Sequence, residues 1–249
     1  STAGMMIEDR TRTFIIAMER TVVPENFSFR MTDEEYRVLE KIKNSIPVCY
    51  LADHADFALG IVTGNNKKFL SAEKTENSEM VLKGTDICKY HINPVKQYLR
   101  FEPEQFQQVA PLEIYRAPEK LLYRFISNQL VVAYDDRQML SLNSCNIVIP
   151  KIEGMQIKYI LAILNSSVSQ FVYQKEFHSI KVLRAHMEHI PIPRVGKAIQ
   201  NEIIAMTEPL ICGMGKEAAE TCQKRLDCRI MDLFRLSAEE QWIIRHALH

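Results

Sequence analysis

Between Leu130 and Lys151 two β-branched apolar runs flank Asp135, Asp136, Arg137, Gln138, Ser141, Asn143 and Ser144. Adjacent carboxylates at Asp135 and Asp136, with Lys151 beyond the second run, are residue types that gather around magnesium in a nuclease. Asp is equally the ordinary residue of a strand-to-strand turn, so the same triplet has a purely structural reading. A second polar stretch, Thr63-Gly64-Asn65-Asn66 followed by Lys67 and Lys68, combines turn residues with ammonium groups and offers backbone amides to a phosphate. His178 and His186 have the type of a general base, but neither has an identifiable nucleophile or acidic partner. Cys88 with His91, and His186 with His189, have metal-like spacing, yet each lacks a second ligand pair at a recognisable distance.

Other chemistries are missing their motifs. The chain has no G-x-G-x-x-G, P-loop, G-x-S-x-G, H-E-x-x-H or H-x-E…C-x-x-C pattern, and only eight glycines with which to build cofactor turns. Asn93-Pro94 continues into Val95 rather than into a second proline and an aromatic. Six cysteines scattered without a C-x-x-C pair point to a reducing compartment, and we expect a cytoplasmic protein. No apolar run approaches the roughly 20 residues that span a bilayer, so no membrane partner is expected. Ser1 to Gly4 reads as a cloning remnant, which implies that the natural chain begins upstream.

The formal net charge of the 249 residues is zero, which argues against a uniformly basic coat, but the charges are unevenly spread. Seven Lys or Arg face four Asp or Glu between Gly60 and Phe101, and eleven face six between Ile114 and Lys197. The rest of the chain is acidic. One positive face for phosphates is compatible with that pattern, and so is an ordinary solvated surface.

The elements that would position these groups are partly readable. A capping box at Thr32-Asp-Glu-Glu35 predicts a helix from about Asp33 to Asn44. Phe14 to Met18 and Val22 to Pro24 predict a strand or short helix. Short strands are expected at Val48 to Leu51, Ala58 to Val62, Met80 to Leu82, Val95 to Phe101 and Cys145 to Ile149, with one or two helical turns at Pro103 to Val109. Leu121 to Ile126 and Gln129 to Tyr134 read as a hairpin about Ser127-Asn128. Ile160, Leu164, Val168 and Phe171 recur at helical spacing within a helix from about Met155 to Tyr173. His189 to Pro193 reads as extended, because proline disfavours helix at the residue before it. Helical tail segments follow at Ala198 to Met206, Lys216 to Leu236 and Ser237 to Ala247, the last with its own capping box; Pro209 and Gly213 to Gly215 divide the first two. The expected class is α/β (α+β), a mixed sheet with flanking helices and a helical C-terminal tail. Residues 1–46 form a lead-in, 47–195 the main unit and 196–249 the closing helices.

Residues Tyr115 to Pro193 carry a resemblance. The frame Y-R-x-P-E-K-L-L-Y-R-F-I, L-V-V-A-Y-D-D, L-S-L-N-S, N-I-V-I-P, Y-I-L-A-I-L-N-S-S-V-S-Q-F-V-Y and I-P-I-P is similar, in order and spacing, to the TaqI-like C-terminal specificity domain of type II adenine-specific DNA methyltransferases and fused restriction-modification enzymes. Upstream, Gly60 to Phe69 and Leu82 to Ile87 resemble paired segments of such target recognition domains, and Leu226 to Glu240 resembles the closing helices of the same enzymes.

The resemblance implies a reader of duplex DNA whose partner is an N-terminal methyltransferase domain absent from this chain. No cofactor is expected here; S-adenosylmethionine belongs to the missing domain. Arg137, Gln138 and Asn143 become candidate base readers, since Arg pairs bidentately with guanine and Gln or Asn with adenine. Thr63, Asn65, Asn66, Lys67, Lys68, Lys83, Arg116, Lys120, Arg124, Lys175, Lys181 and Arg184 become candidate phosphate contacts. Two readings compete: a protein-interaction or scaffold module of the same fold, and a metal-dependent nuclease built on Asp135, Asp136 and Lys151.

Overall fold

The computed structural model describes residues 4–8, 13–17, 31–177 and 179–248. Met18, Val22 to Pro24 and His178 lie outside them. The chain begins with the antiparallel strands β1 (Gly4–Glu8) and β2 (Thr13–Ala17), then α1 (Asp33–Asn44), β3 (Val48–Cys49) and β4 (Ala55–Ala58). Next come α2 (Asn66–Phe69), β5 (Leu70–Ser71), β6 (Ser78–Leu82), β7 (Tyr98–Arg100) and α3 (Leu112–Tyr115). The central part holds β8 (Lys120–Arg124), β9 (Val132–Asp135), β10 (Leu140–Ser141), β11 (Cys145–Pro150), α4 (Ile157–Asn165), α5 (Ser167–Glu176), α6 (Arg184–Glu188) and β12 (Ile192–Pro193). The helices α7 (Lys197–Cys212), α8 (Lys216–Leu233) and α9 (Ala238–Ala247) follow.

Strand alternation builds a three-layer body. β4, β11, β8 and β9 form an antiparallel sheet in that spatial order. Leu121, Tyr123, Val132, Tyr134 and Val148 point into a core shared with α1, α4, α5 and the closing helices. Their neighbours Leu122, Ala133 and Ile147 point into a second core shared with Val81, Leu82, Leu99 and Leu140. Because successive strand residues face opposite sides, one sheet can serve both cores. The second core is covered by a mixed sheet of order β10-β6-β7-β5, in which β10 runs parallel to β6.

The capping box at Thr32 is present in both directions, with Glu35 N–H donating to Thr32 Oγ1 at 3.1 Å and Thr32 N–H to Glu35 Oε2 at 3.0 Å. Helix α1 therefore starts and stops where its caps predict. Met155 to Tyr173 is not one helix. It breaks at Ser166, whose hydroxyl accepts the Ser169 N–H at 3.2 Å and caps α5, so α4 and α5 meet at a corner. The break has a use. Asn165 donates its amide to the Val132 carbonyl at 2.8 Å and accepts the Val132 N–H at 3.1 Å, while Gln170 accepts the Leu130 N–H at 2.9 Å. Two side-chain amides, together with a single backbone bridge from Tyr90 to Ala133, thus take the place of a further strand along the edge of β9. In the tail, α7 runs on through Pro209 to Cys212 instead of ending before it. The expected strand at Ala58 to Val62 comes earlier, at β4, and Ile61 and Val62 make single bridges to Leu142 and Gln108. Pro103 to Val109 holds one 3-10 turn, Pro103–Gln105. Among the described residues no helix is long and apolar enough to cross a membrane.

Candidate nucleic-acid interface

Asp135 to Ser144 is not a single loop. Met139, Leu140, Ser141 and Leu142 are buried, because β10 crosses under the central sheet and pairs with β6. Lys120 lies opposite Asp135 and Tyr123 opposite Val132, while Tyr123 also faces Asn146. The chain therefore leaves β9 at one end of the sheet and enters β11 at the other. Arg137 and Gln138 sit at the first end and Asn143 at the second, at least about 10 Å apart by the strand rise. The structure does not bring the three candidate base readers together.

At the first end the scaffold is electrostatic. Lys120 and Asp135 are both fully buried and form an ion pair of 2.5 Å, with Lys120 also donating to the Tyr115 carbonyl at 2.6 Å. Burial holds the Lys120 ammonium below its usual range even beside Asp135. The Asp135 carboxylate accepts the N–H groups of Arg137 at 2.9 Å and Met139 at 3.0 Å. Gln138 takes a left-handed backbone, φ 57°, and its carbonyl accepts from Arg116 at 2.8 Å; Arg116 also pairs with Glu79 at 2.6 Å. Arg137 and Gln138 are left exposed on a bracketed turn. Lys120, expected at a phosphate, is instead inside the protein, and Arg116 is part of the bracket. Asp135 is committed to these bonds, and Lys151 pairs with Asp56 at 2.6 Å. Among the described residues no group of three or more His, Cys, Asp or Glu is placed to hold a metal ion.

The second end is assembled from three turns. Ser144 accepts the Gly84 N–H on its hydroxyl at 2.9 Å and the Phe125 N–H on its carbonyl at 3.0 Å. A Cβ on Gly84 would lie 2.6 Å from the Ser144 carbonyl oxygen, so only glycine allows this approach. Arg124 donates to the carbonyls of Gly84 and Ile87 and is thereby spent on holding the 83–87 turn. Asp86 accepts the Lys83 N–H at 2.9 Å and tightens it further. Phe125 to Ser127 pairs with Ile180 to Val182 through Ser127 N–H to the Ile180 carbonyl at 3.0 Å and Val182 N–H to the Phe125 carbonyl at 2.8 Å. These bonds leave Lys83, Thr85, Asn143 and Lys181 exposed around one end of the sheet. Lys83, Thr85 and Lys96 line a shallow cleft together with Asp86.

The remaining candidates are distributed as follows. Thr63 is buried and donates to Asn66 Oδ1 at 2.6 Å, and Asn65 caps α2 by accepting the Lys68 N–H at 3.2 Å, so these three form the turn itself. Lys68 donates to Gln105 at 2.5 Å, while Lys67 is exposed. Lys175, also expected at a phosphate, is buried in an ion pair with Glu35 at 2.7 Å. Arg184 is exposed and pairs with Glu188 one helical turn on, at 2.7 Å. The metal-like spacings are taken up locally: Cys88 accepts from Asn93 at 3.2 Å, and His186 accepts the Leu183 N–H at 3.2 Å and stacks on Phe177. Sequence reasoning misses Thr85 and Lys96, which the 83–87 turn brings to the same cleft as Lys83.

Residues 79–192 match the family described as the TaqI-like C-terminal specificity domain. No curated protein sequence matches the chain. Among solved structures, the type IIL restriction-modification enzyme MmeI in complex with DNA has the same fold over much of the chain, with TM-score 0.54 and 10% identity across 83% of this chain and 37% of that one. The HsdS subunit from Thermoanaerobacter tengcongensis gives 0.42 and 14%, covering 87% of this chain and 50% of that one. A structure of a type I R-M system gives 0.44 and 13%, covering 93% and 51%. The chain thus spans about half or less of each of these relatives.

Proposed function

We propose, from the premise that residues 79–192 are a TaqI-like C-terminal specificity domain, that this chain recognises DNA targets within a restriction-modification enzyme and leaves the chemistry to another part of it. The missing part is then a methyltransferase domain, adenine-specific and supplied with S-adenosylmethionine. Residues 47–195 are the recognition unit, 1–46 a lead-in that contains β1, β2 and α1, and 196–249 its closing helices. The observation that carries this reading is the second end of the central sheet, where backbone bonds together with the Ser144 hydroxyl and the Arg124 guanidinium lock three turns together and leave the amide of Asn143 and the ammonium groups of Lys83 and Lys181 exposed. Fixed height is what base reading requires, because a donor displaced by an ångström no longer discriminates one base edge from another. Arg137 and Gln138, rigidly bracketed at the other end, read a separate position of the same duplex.

Retention of a random duplex pool at several salt concentrations, followed by sequencing, tests this. Lys83→Ala and Lys181→Ala should weaken all sequences alike and each reduce the salt slope by about one. Asn143→Ala should relax preference at one base pair by about 1–3 kcal/mol and leave the salt slope alone. No retention at low salt, or the same loss on every sequence for all three variants, would sink the reading and favour a protein-interaction module.

A further inference from the structure

We infer that Gln223 and Asp227, on the closing helix α8, are positioning residues for recognition: they pin the loop from which the 83–87 turn, and with it Asn143, takes its height. The inference rests on the DNA-reading assignment above. Residues 86–93 form a short antiparallel loop. Ile87 bridges Ile92, Asn93 N–H donates to the Asp86 carbonyl at 2.9 Å, and Cys88 N–H donates to the His91 carbonyl at 3.0 Å. The open end of this loop belongs to the 83–87 turn, whose Gly84 N–H is bonded to Ser144, next to Asn143. Its tip, Lys89 and Tyr90, reaches the other way, to the edge of β9 and to the helices.

Three neighbours hold the tip. Tyr90 N–H donates to the Val132 carbonyl at 2.7 Å, and the Tyr90 carbonyl accepts the Tyr134 N–H at 3.1 Å. Lys89 donates to the backbone carbonyl of Asn165, the residue whose side-chain amide shares the Val132 carbonyl with Tyr90, at 3.1 Å. Helix α8 supplies the third hold. Gln223 Nε2 donates to the Tyr90 hydroxyl at 3.3 Å, and Asp227 accepts both the N–H of Ser167 at 2.9 Å and its hydroxyl at 2.8 Å, two residues on from Asn165. Burial raises the Asp227 carboxyl and lowers the Lys89 ammonium from their usual ranges, so water weakens these bonds little. Tyr90 also keeps a left-handed backbone, φ 74°, with its side chain fully buried. A bulky residue holds that conformation only where its surroundings over-determine it, and Gln223 is part of those surroundings. The polar contacts of α8 thus reach the base-reading end through one loop, four residues from Tyr90 to Asp86.

Gln223→Ala tests this, because it removes one hydrogen bond and leaves every residue of the reading turns in place. Amide exchange at Gly84, Ile87 and Asn93 should rise several-fold. In the random-pool selection, discrimination at the base pair proposed for Asn143 should fall about three- to tenfold, the worth of one hydrogen bond, with the salt slope unchanged. Asp227→Asn should shift both readouts in the same direction. Tyr90→Phe removes the same bond from the other side, so the double variant Tyr90→Phe/Gln223→Ala should discriminate no worse than either single one. Arg229→Ala, which breaks the pair between α8 and Glu202 on α7 at 2.6 Å, is the control and should leave exchange at the three amides and discrimination unchanged. Equal loss on every sequence, additive effects of Tyr90→Phe and Gln223→Ala, or unchanged exchange at the three amides overturns the positioning role, while Asn143→Ala still marks a read base pair. Failure of the native chain to retain duplex, or of Asn143→Ala to relax any base pair, overturns this role together with the reading beneath it.

Discussion

Lys120→Met is expected to destabilise the protein by about 3–5 kcal/mol, read as a lowered urea midpoint at unchanged slope. The substitution keeps the length and volume of the side chain, so no cavity accounts for the loss. What remains is the Asp135 carboxylate, fully buried, stripped of the ammonium at 2.5 Å and left with only the N–H groups of Arg137 and Met139. Adding Asp135→Asn removes the charge outright while preserving an acceptor for one of the two N–H groups, so the double variant should be more stable than Lys120→Met alone. Strict additivity of the two single effects, measured as a double-mutant cycle, would refute the pairing as the source of the cost. The consequence for the proposed recognition is local: faster amide exchange at Arg137 and Met139, and loss of preference at the base pair proposed for Arg137 and Gln138, with the position proposed for Asn143 unaffected.

Thr32 with Glu35 and Ser237 with Glu240 are local devices, complete within one turn and legible in the sequence, and the helices α1 and α9 begin where they say. The hairpin register is legible too: a connection centred on Ser127-Asn128 sets Lys120 opposite Asp135, a directly facing pair of opposite charge, although β8 stops at Arg124 and β9 begins at Val132 because Ile126 and Ser127 pair with the 180–182 segment instead of closing a tight turn. The general preference of lysine for the surface hides that pair. Lys175 is hidden for another reason, since its partner Glu35 lies 140 residues away and nothing local announces the contact. Ser166 sits inside an unbroken apolar stripe, so the periodicity that marks the helix masks the cap that divides it. β10 is two residues long and owes its place to β6, about sixty residues earlier, so the polar stretch around it reads as one loop when it is two tips at opposite ends of a sheet. Local capping and strand alternation survive in the sequence, whereas long-range pairing and the direction in which a turn faces do not.

Gly60→Ala should be as damaging as Lys120→Met, and for a steric reason. A Cβ at this position would lie 2.0 Å from the Leu142 carbonyl oxygen, 2.3 Å from its carbon and 2.8 Å from the Asn143 nitrogen. All three are backbone atoms, and no rotamer change can relieve the overlap. The contact exists because the 60–61 segment lies directly against the end of β10, with Ile61 N–H donating to the Ser141 carbonyl at 2.7 Å and Asn143 N–H to the Ile61 carbonyl at 3.1 Å. Asn146 adds its side-chain oxygen, accepting the Gly60 N–H at 3.2 Å. A methyl group must therefore push the segment off β10, breaking these bonds inside the second core, a loss of about 3 kcal/mol or more. Gly196→Ala is the control, since nothing lies within 4 Å of its added carbon, and it should stay within about 1 kcal/mol of the native chain. The displaced atoms in Gly60→Ala are those that set the height of Asn143, so discrimination at the base pair proposed for it should fall even under conditions where the variant remains folded. Retained discrimination in a folded Gly60→Ala protein would mean that Asn143 does not read the base, and the specificity would then have to be sought at Arg137 and Gln138.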